Sequence, residues 1–179
     1  MLRKFLFLTV ALCSISLGYA QEIFSKGTTA INAGIGIGSS VSHVSFPPLS
    51  VSMDYSLVDN LIDDSNGAIS VGGLVGYVGS KQNFYGSTYS ASHAILGVRG
   101  AFHYQFIPKL DTYAGLMLSY NLVSGSWSGP EVIGSSVAGS KVDLGAYLGA
   151  RYFFTEQIGA FAELGYTIAF LNLGVTFIL

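Results

Sequence analysis

The chain has 179 residues, half of them hydrophobic and a tenth charged, with a formal net charge of −2 at pH 7. That length suits one domain, the charge leaves no electrostatic footprint for nucleic acid, and the charged fraction falls well below the ~25% of a soluble domain. No uninterrupted apolar run reaches the ~20 residues of a membrane-spanning helix, while 23 glycines, 11 tyrosines and 12 phenylalanines against four prolines favour strands over helices.

Residues 1–20 read as a cleaved export signal. Arg3 and Lys4 give a basic start, Phe5 to Leu17 form an apolar stretch of signal length, and Gly18 and Ala20 are spaced for cleavage before Gln21. Leu12 before Cys13 does not fit a lipoprotein signal. Cleavage removes the only cysteine and two of the eight basic residues, so the mature chain makes no disulfide and carries six basic against ten acidic residues. Residues 21–179 are then a single domain.

From Thr28 onward apolar residues alternate with small or polar ones at the period of a strand. The first of eight segments, residues 28–40, puts Ile31, Ala33, Ile35 and Ile37 opposite Asn32, Gly34, Gly36 and Gly38. A Ser-rich loop with Pro47 and Pro48 leads to the second, residues 49–58, where Val51, Met53, Tyr55 and Leu57 oppose Ser50, Ser52, Asp54 and Ser56. Residues 59–67 read as a turn. The third segment, 68–80, sets Ile69, Val71, Val75 and Tyr77 against Ser70, Gly72 and Gly76; residues 81–90 read as a loop.

The fourth segment, 92–106, opposes Leu96, Val98, Phe102, Tyr104 and Phe106 to His93, Gly97, Arg99, His103 and Gln105. A tight turn, "IPKLD", precedes the fifth, 112–123, with Leu116, Leu118, Tyr120 and Leu122 opposite Gly115, Met117, Ser119 and Asn121. Residues 124–136 read as a long Gly/Ser loop. The sixth segment, 141–154, sets Val142, Leu144, Leu148, Tyr152 and Phe154 against Lys141, Asp143, Gly145, Gly149 and Arg151. After "TEQ", the seventh, 158–168, sets Ile158, Leu164 and Tyr166 against Gly159, Glu163, Gly165 and Thr167. The eighth, 171–179, sets Leu171, Leu173, Val175, Phe177 and Leu179 against Asn172, Gly174 and Thr176.

The connections are too short for crossover helices, so neighbouring strands pair antiparallel. An apolar face turned inward would leave a Gly/Ser exterior with few charges, a poorly soluble surface. Turned outward, it suits lipid, with tyrosines at the membrane–water interface. Closure then satisfies every ladder hydrogen bond, as hydrocarbon demands, and eight strands leave a lumen just wide enough for side chains. The predicted fold is all-β: an eight-stranded antiparallel up-and-down transmembrane β-barrel with a filled polar lumen. Both ends are predicted on the periplasmic side, with the long connections around Pro47, Phe84 and Trp127 outside.

The stretch "YLGARYFFTEQIGAFAELGYTIAFLNLGVTFIL", with "KLDTYAGLMLSYNL" before it, resembles the small eight-stranded outer-membrane β-barrels of Gram-negative bacteria, porin-like and OmpA/OmpX-like, and in particular the outer membrane protein β-barrel domain family of Bacteroidetes. Asn172, Gly174, Phe177 and Leu179 match the family's C-terminal assembly signal in register, with Leu179 where Phe is usual. The resemblance implies insertion by the barrel-assembly machinery and a setting of outer-membrane lipid and lipopolysaccharide in the cell outer membrane.

Charges on the lumen parity form one candidate constellation: Asp54, Arg99, His103, Lys141, Asp143, Arg151 and Glu163, with His93 alongside. Buried charges must pair, and Arg151 with Glu163, on adjacent strands, is the expected pair. The structural reading is a salt-bridge plug; the functional one is a gated ion path. His43 and Ser45 in the first outer loop are similar to the His/Ser pair of outer-membrane lipid A deacylases, with Glu131 the acidic residue in the other outer loops; an ordinary polar loop is the alternative. Phe46, Phe84, Tyr85, Tyr89 and Trp127 are either a binding surface or part of an aromatic belt. Three scattered histidines and no mature cysteine give no metal spacing, the Gly-rich start is not a phosphate loop, and no cofactor is expected. The sequence therefore predicts a non-enzymatic envelope or surface-interaction protein. A lipid A-modifying acyl hydrolase and a small-solute channel are the alternatives.

Overall fold

The alternation of large apolar and small polar residues closes on itself as a barrel. The computed structural model describes residues 23–39, 41–62, 66–84, 87–128, 136–166 and 168–179. The export-signal reading of residues 1–20, and with it the start at Gln21, lies outside them.

The strands are β1 (Thr29–Ile37), β2 (Val44–Val58), β3 (Ala68–Phe84), β4 (Ser87–Ile107), β5 (Leu110–Ser128), β6 (Ser136–Phe153), β7 (Ile158–Gly165) and β8 (Leu171–Ile178). Each pairs antiparallel with the next, and β1 closes the ring against β8 from Ala30 opposite Ile178 to Ile37 opposite Leu171. The ring has no edge strand, although β6 above Tyr147 pairs with β5 alone. The rim where β1 begins and β8 ends is called here the lower rim, and the opposite one the upper.

Side-chain parity decides inside from outside. Leu144, Val98, Leu116, Leu148 and Leu164 are 73%, 65%, 60%, 57% and 55% exposed, whereas Arg151 and Asp54 are 0% exposed and Arg99 is 3%. The barrel is thus apolar outside and keeps these charges within. Aromatic side chains ring the exterior at two levels. Tyr55, Phe102, Tyr152, Phe154 and Phe177 stand toward the lower rim, and Phe46, Tyr77, Tyr120 and Phe170 toward the upper. Tyr120 pairs with Val142, ten residues before Tyr152 on β6. At ~3.3 Å per residue and a tilt of ~40° the belts lie ~25 Å apart, the height of a lipid-facing band.

Three differences from the sequence expectation concern the upper rim. Residues 81–84 and 87–90 are strand, not loop, and β5 and β6 continue to Ser128 and from Ser136. Lys81 pairs with Ser90, and Tyr89 with Trp127, so the ladders run on into sequence where the apolar alternation has stopped. Above a membrane both faces of a hairpin meet water, which removes the alternation signal while leaving the backbone hydrogen bonds in place. Strand β2 starts at Val44 rather than Leu49, and it takes in Pro47 and Pro48 through register shifts between Val44, Phe46 and Leu49. Proline lacks the ladder donor, and irregular pairing accommodates it.

At the lower rim, Ile62 bridges Asn66, and Asn60 and Gly67 both take positive φ. Strands β3 to β6 have 17, 21, 19 and 18 residues, against 9, 8 and 8 for β1, β7 and β8. The upper rim is consequently oblique: a tall wall on one side, a low sill on the other.

Candidate functional site

The lumen is organised in three levels, each set by which strand positions share its height. The lowest is a cap. Residues 23–28 turn across the lower mouth, where the Ile23 backbone N–H donates to Gln105 Oε1 (3.0 Å) and Phe24, 2% exposed, stacks on the His103 ring with centroids 4.1 Å apart.

Above it lies a belt of buried charge. Arg99 on β4 reaches Glu163 on β7 with Nη2–Oε2 at 2.7 Å, and its Nε lies 2.9 Å from Asp54 Oδ1 on β2. Arg151 on β6 bonds Asp111 on β5 through Nη1–Oδ2 at 2.9 Å, Asn32 Oδ1 on β1 through Nε at 3.0 Å, and Asp54 Oδ2 through Nη2. His103 sits between Asp111 (Nδ1–Oδ1 2.9 Å) and Ser70 Oγ (2.8 Å). Tyr113 donates to Glu163 Oε2 at 3.0 Å. The guanidinium of Arg99 lies 4.0 Å from the Tyr147 ring centroid and that of Arg151 lies 4.3 Å from that of Tyr113. Two arginines thus face three carboxylates, each ion desolvated but paired with at least one opposite charge, which is the condition for tolerating buried charge.

The two tyrosines fit because glycines face them. Tyr113 pairs across β5–β6 with Gly149, and Tyr147 with Gly115. A Cβ on Gly115 would lie 2.6 Å from Tyr147 Cζ, and one on Gly149 would overlap the Tyr113 ring. Here the glycines serve close approach rather than a turn.

The third level is apolar. The β7–β8 connection folds inward, so that Ile168 and Ala169, 4% and 6% exposed, cluster with Leu74, Ile95 and Met117. Ser39 Oγ holds the Ile168 carbonyl at 2.9 Å. The cavity left between Met117, Tyr147, Glu163 and Ile168 is about 10 Å³, room for about one water. From Phe24 to Ile168 the lumen is packed.

Above this level the tall wall encloses a vestibule of about 600 Å³, lined among others by Ser80, Gln82, His93, Asn121, Lys141 and Asp143.

The structure brings Asp54, Arg99, His103, Arg151 and Glu163 together in the belt. Lys141 and Asp143 are not part of it, which corrects the seven-member network. They pair with each other at 2.5 Å in the vestibule, with side chains 72% and 37% exposed. Asp143 stands eight residues along β6 from Arg151, ~26 Å of strand, so the shared parity does not give a shared level. Arg151 and Glu163 do not pair either. In the β6–β7 register Glu163 lies across from Gly149 and Arg151 from Phe161. Directly opposite Arg151 on β5 is Asp111, whose place after Pro108 and Lys109 predicts a turn. Tyr113 and Tyr147 were also missed, although both share the lumen parity of their strands. His43 and Ser45 are exposed, and no hydrogen bond joins them among the described residues; Glu131 lies outside those residues. Tyr89 and Trp127 pack at 4.9 Å and Phe46 on Tyr77 at 6.2 Å, while Tyr85 and the Phe84 side chain are not described. Asn172 Nδ2 bonds Ser50 Oγ within the lumen at 3.0 Å, Gly174 packs on the β1 backbone, and Phe177 and Leu179 face outward.

No family model matches the chain, and no curated protein matches it in sequence. Solved structures do match in fold. A major outer membrane protein from Thermus thermophilus superposes with a TM-score of 0.64 at 12% identity, over 85% of this chain and 99% of that one. The N-terminal β-barrel domain of Pseudomonas aeruginosa OprF gives 0.54 at 16%, over 86% and 98%. Ail, the attachment invasion locus protein of Yersinia pestis, in complex with the heparin analogue sucrose octasulfate, gives 0.52 at 12%, over 86% and 95%. With its closed ring, apolar exterior and charged, packed lumen, this chain has the fold of the small eight-stranded outer-membrane β-barrels.

Proposed function

We propose that the chain is an integral outer-membrane barrel without enzymatic activity, which contributes to the envelope and acts through its upper rim, facing outward. The observation that carries this reading is the sealed lumen beneath tall β3–β6 hairpins. Among the described residues the barrel is packed from Phe24 to Ile168 and offers no continuous water path, so whatever it does beyond strengthening the envelope is done on the surface it raises. Among its fold neighbours, Ail is named for attachment and invasion, a role of the same kind. Residues 1–20 would direct export, and Asn172, Gly174, Phe177 and Leu179 would be read by the barrel-assembly machinery. Outer-membrane lipid and lipopolysaccharide would cover the exterior.

The test is cell fractionation with heat-modifiable gel mobility, planar-bilayer recording and lipid A mass spectrometry on a deletion strain. The proposal expects an outer-membrane protein that migrates differently unboiled, shows no discrete conductance and leaves lipid A unchanged. Recovery in the osmotic-shock fraction, stepwise conductance or an altered lipid A acyl pattern would each overturn it.

A further inference from the structure

The vestibule above the apolar level is a formed cavity on the side that the proposed function turns outward, and the inference rests on that reading. At about 600 Å³ it falls in the range of small-molecule sites, ~300–1,000 Å³. Its polar lining is strong in hydrogen-bonding groups and balanced in charge. Lys141 and Asp143 neutralise each other, and Ser80, Gln82 and Asn121 are uncharged. Such a wall offers a polyanion no cluster of cations among the described residues, and its polar groups alternate with apolar ones such as Val123 and Tyr166, as an amphipathic ligand requires.

Among the described residues, two polar atoms in this wall have no partner: His93 Nδ1 and Asn121 Oδ1. They are diagonal neighbours on the lumen parity of β4 and β5, since His93 pairs with Val123 and Asn121 with Ile95. Buried unpaired polar atoms are costly. Both side chains turn about χ2, a broad torsion, and can present these atoms to a ligand hydroxyl, which both donates and accepts. An aromatic wall completes the lining: Tyr89 borders the vestibule and packs on Trp127 with centroids 4.9 Å apart. The negative face of an aromatic ring attracts the polarised C–H face of a pyranose.

The sill is also held. His43 borders the vestibule in the left-handed region, φ 56°, and its carbonyl accepts from the Lys81 N–H at 2.9 Å. A non-glycine residue persists there only where its surroundings fix it.

We infer that this vestibule is a binding site for a neutral saccharide of one or two rings, held by hydroxyl contacts to His93 and Asn121 and by ring stacking on Tyr89.

The test uses the purified folded barrel in amine-oxide micelles, which contain no sugar headgroup. Saturation-transfer NMR and calorimetry are run with maltose, lactose and chitobiose, and with sucrose octasulfate as the anionic comparator. The inference expects at least one neutral disaccharide to bind in the millimolar range or tighter. Asn121→Leu with His93→Phe should weaken it about tenfold or more, with heat-modifiable mobility retained; Tyr89→Ala should weaken it independently. Three results would overturn the inference: no neutral disaccharide binding at high millimolar concentration, binding unchanged in both variants, or the sulfated sugar binding more tightly than any neutral one. Outer-membrane fractionation reads the underlying barrel assignment separately, so a non-binding barrel found in the outer membrane overturns this inference alone.

Discussion

Tyr113 on β5 lies directly across from Gly149 on β6, and its ring fills the space a side chain on residue 149 would need. The ring also lies over Arg151, and its hydroxyl bonds Glu163. One strand pairing thereby fixes the centre of the charged belt. Gly149→Val forces that ring to move and should destabilise the folded barrel by ~1–3 kcal/mol or more, read from urea unfolding in vesicles. Gly139→Ala, on the same strand but with open space around the added Cβ, should leave the unfolding midpoint nearly unchanged.

The belt is a coupled unit. Arg151→Met strips Asp54 and Asp111 of a fully buried partner and should cost ~3–5 kcal/mol. Combining it with Asp111→Asn should cost less than the two single changes added together, by ~0.5–3 kcal/mol. Lys141→Ala, which removes an exposed partner in the vestibule, should leave the unfolding curve superimposable on the parent's.

Lipid contact makes a different demand. Leu116 is 60% exposed and pairs with Ala146, midway between the two aromatic belts. Leu116→Arg should cost ~2–4 kcal/mol in a bilayer. The same change at Phe106, beyond the lower belt and 70% exposed, should cost ~0–1 kcal/mol, since the penalty falls off toward the interface.

The lower cap is a support rather than a gate. Phe24→Ala removes a buried ring from His103 and should cost ~3–5 kcal/mol. The Arg99 and Arg151 belt still blocks the lumen above it, so single-channel recordings of this variant should remain flat.

Parity was legible in the sequence because one face meets hydrocarbon and the other a narrow polar interior. A period of two separated Leu116, Leu148 and Leu164 from Asp54, Arg99 and Glu163, and the poor solubility of a Gly/Ser exterior placed the leucines outside. Height was not legible. Lys141 and Arg151 share a parity but occupy different levels, and only the register between strands separates them. Asp111 was hidden because a charged residue beside Pro108 and Lys109 looks like turn chemistry, whereas the ladder resumes at Leu110. The tall hairpins above the membrane were hidden as well, because Ser and Gly there pair in register without an apolar face to announce it. The inward fold of Ile168 and Ala169 looked like a short outer connection; its partners Leu74 and Met117 lie far away in sequence.

Site-directed spin labelling in lipid bilayers tests the orientation of the wall most directly. Labels on single cysteines introduced at residues 116, 148 and 164 should collide freely with oxygen, which dissolves in hydrocarbon, and hardly at all with a water-soluble nickel complex. Labels showing the reverse, with the nickel complex reaching all three, would contradict the account from its outer surface inward.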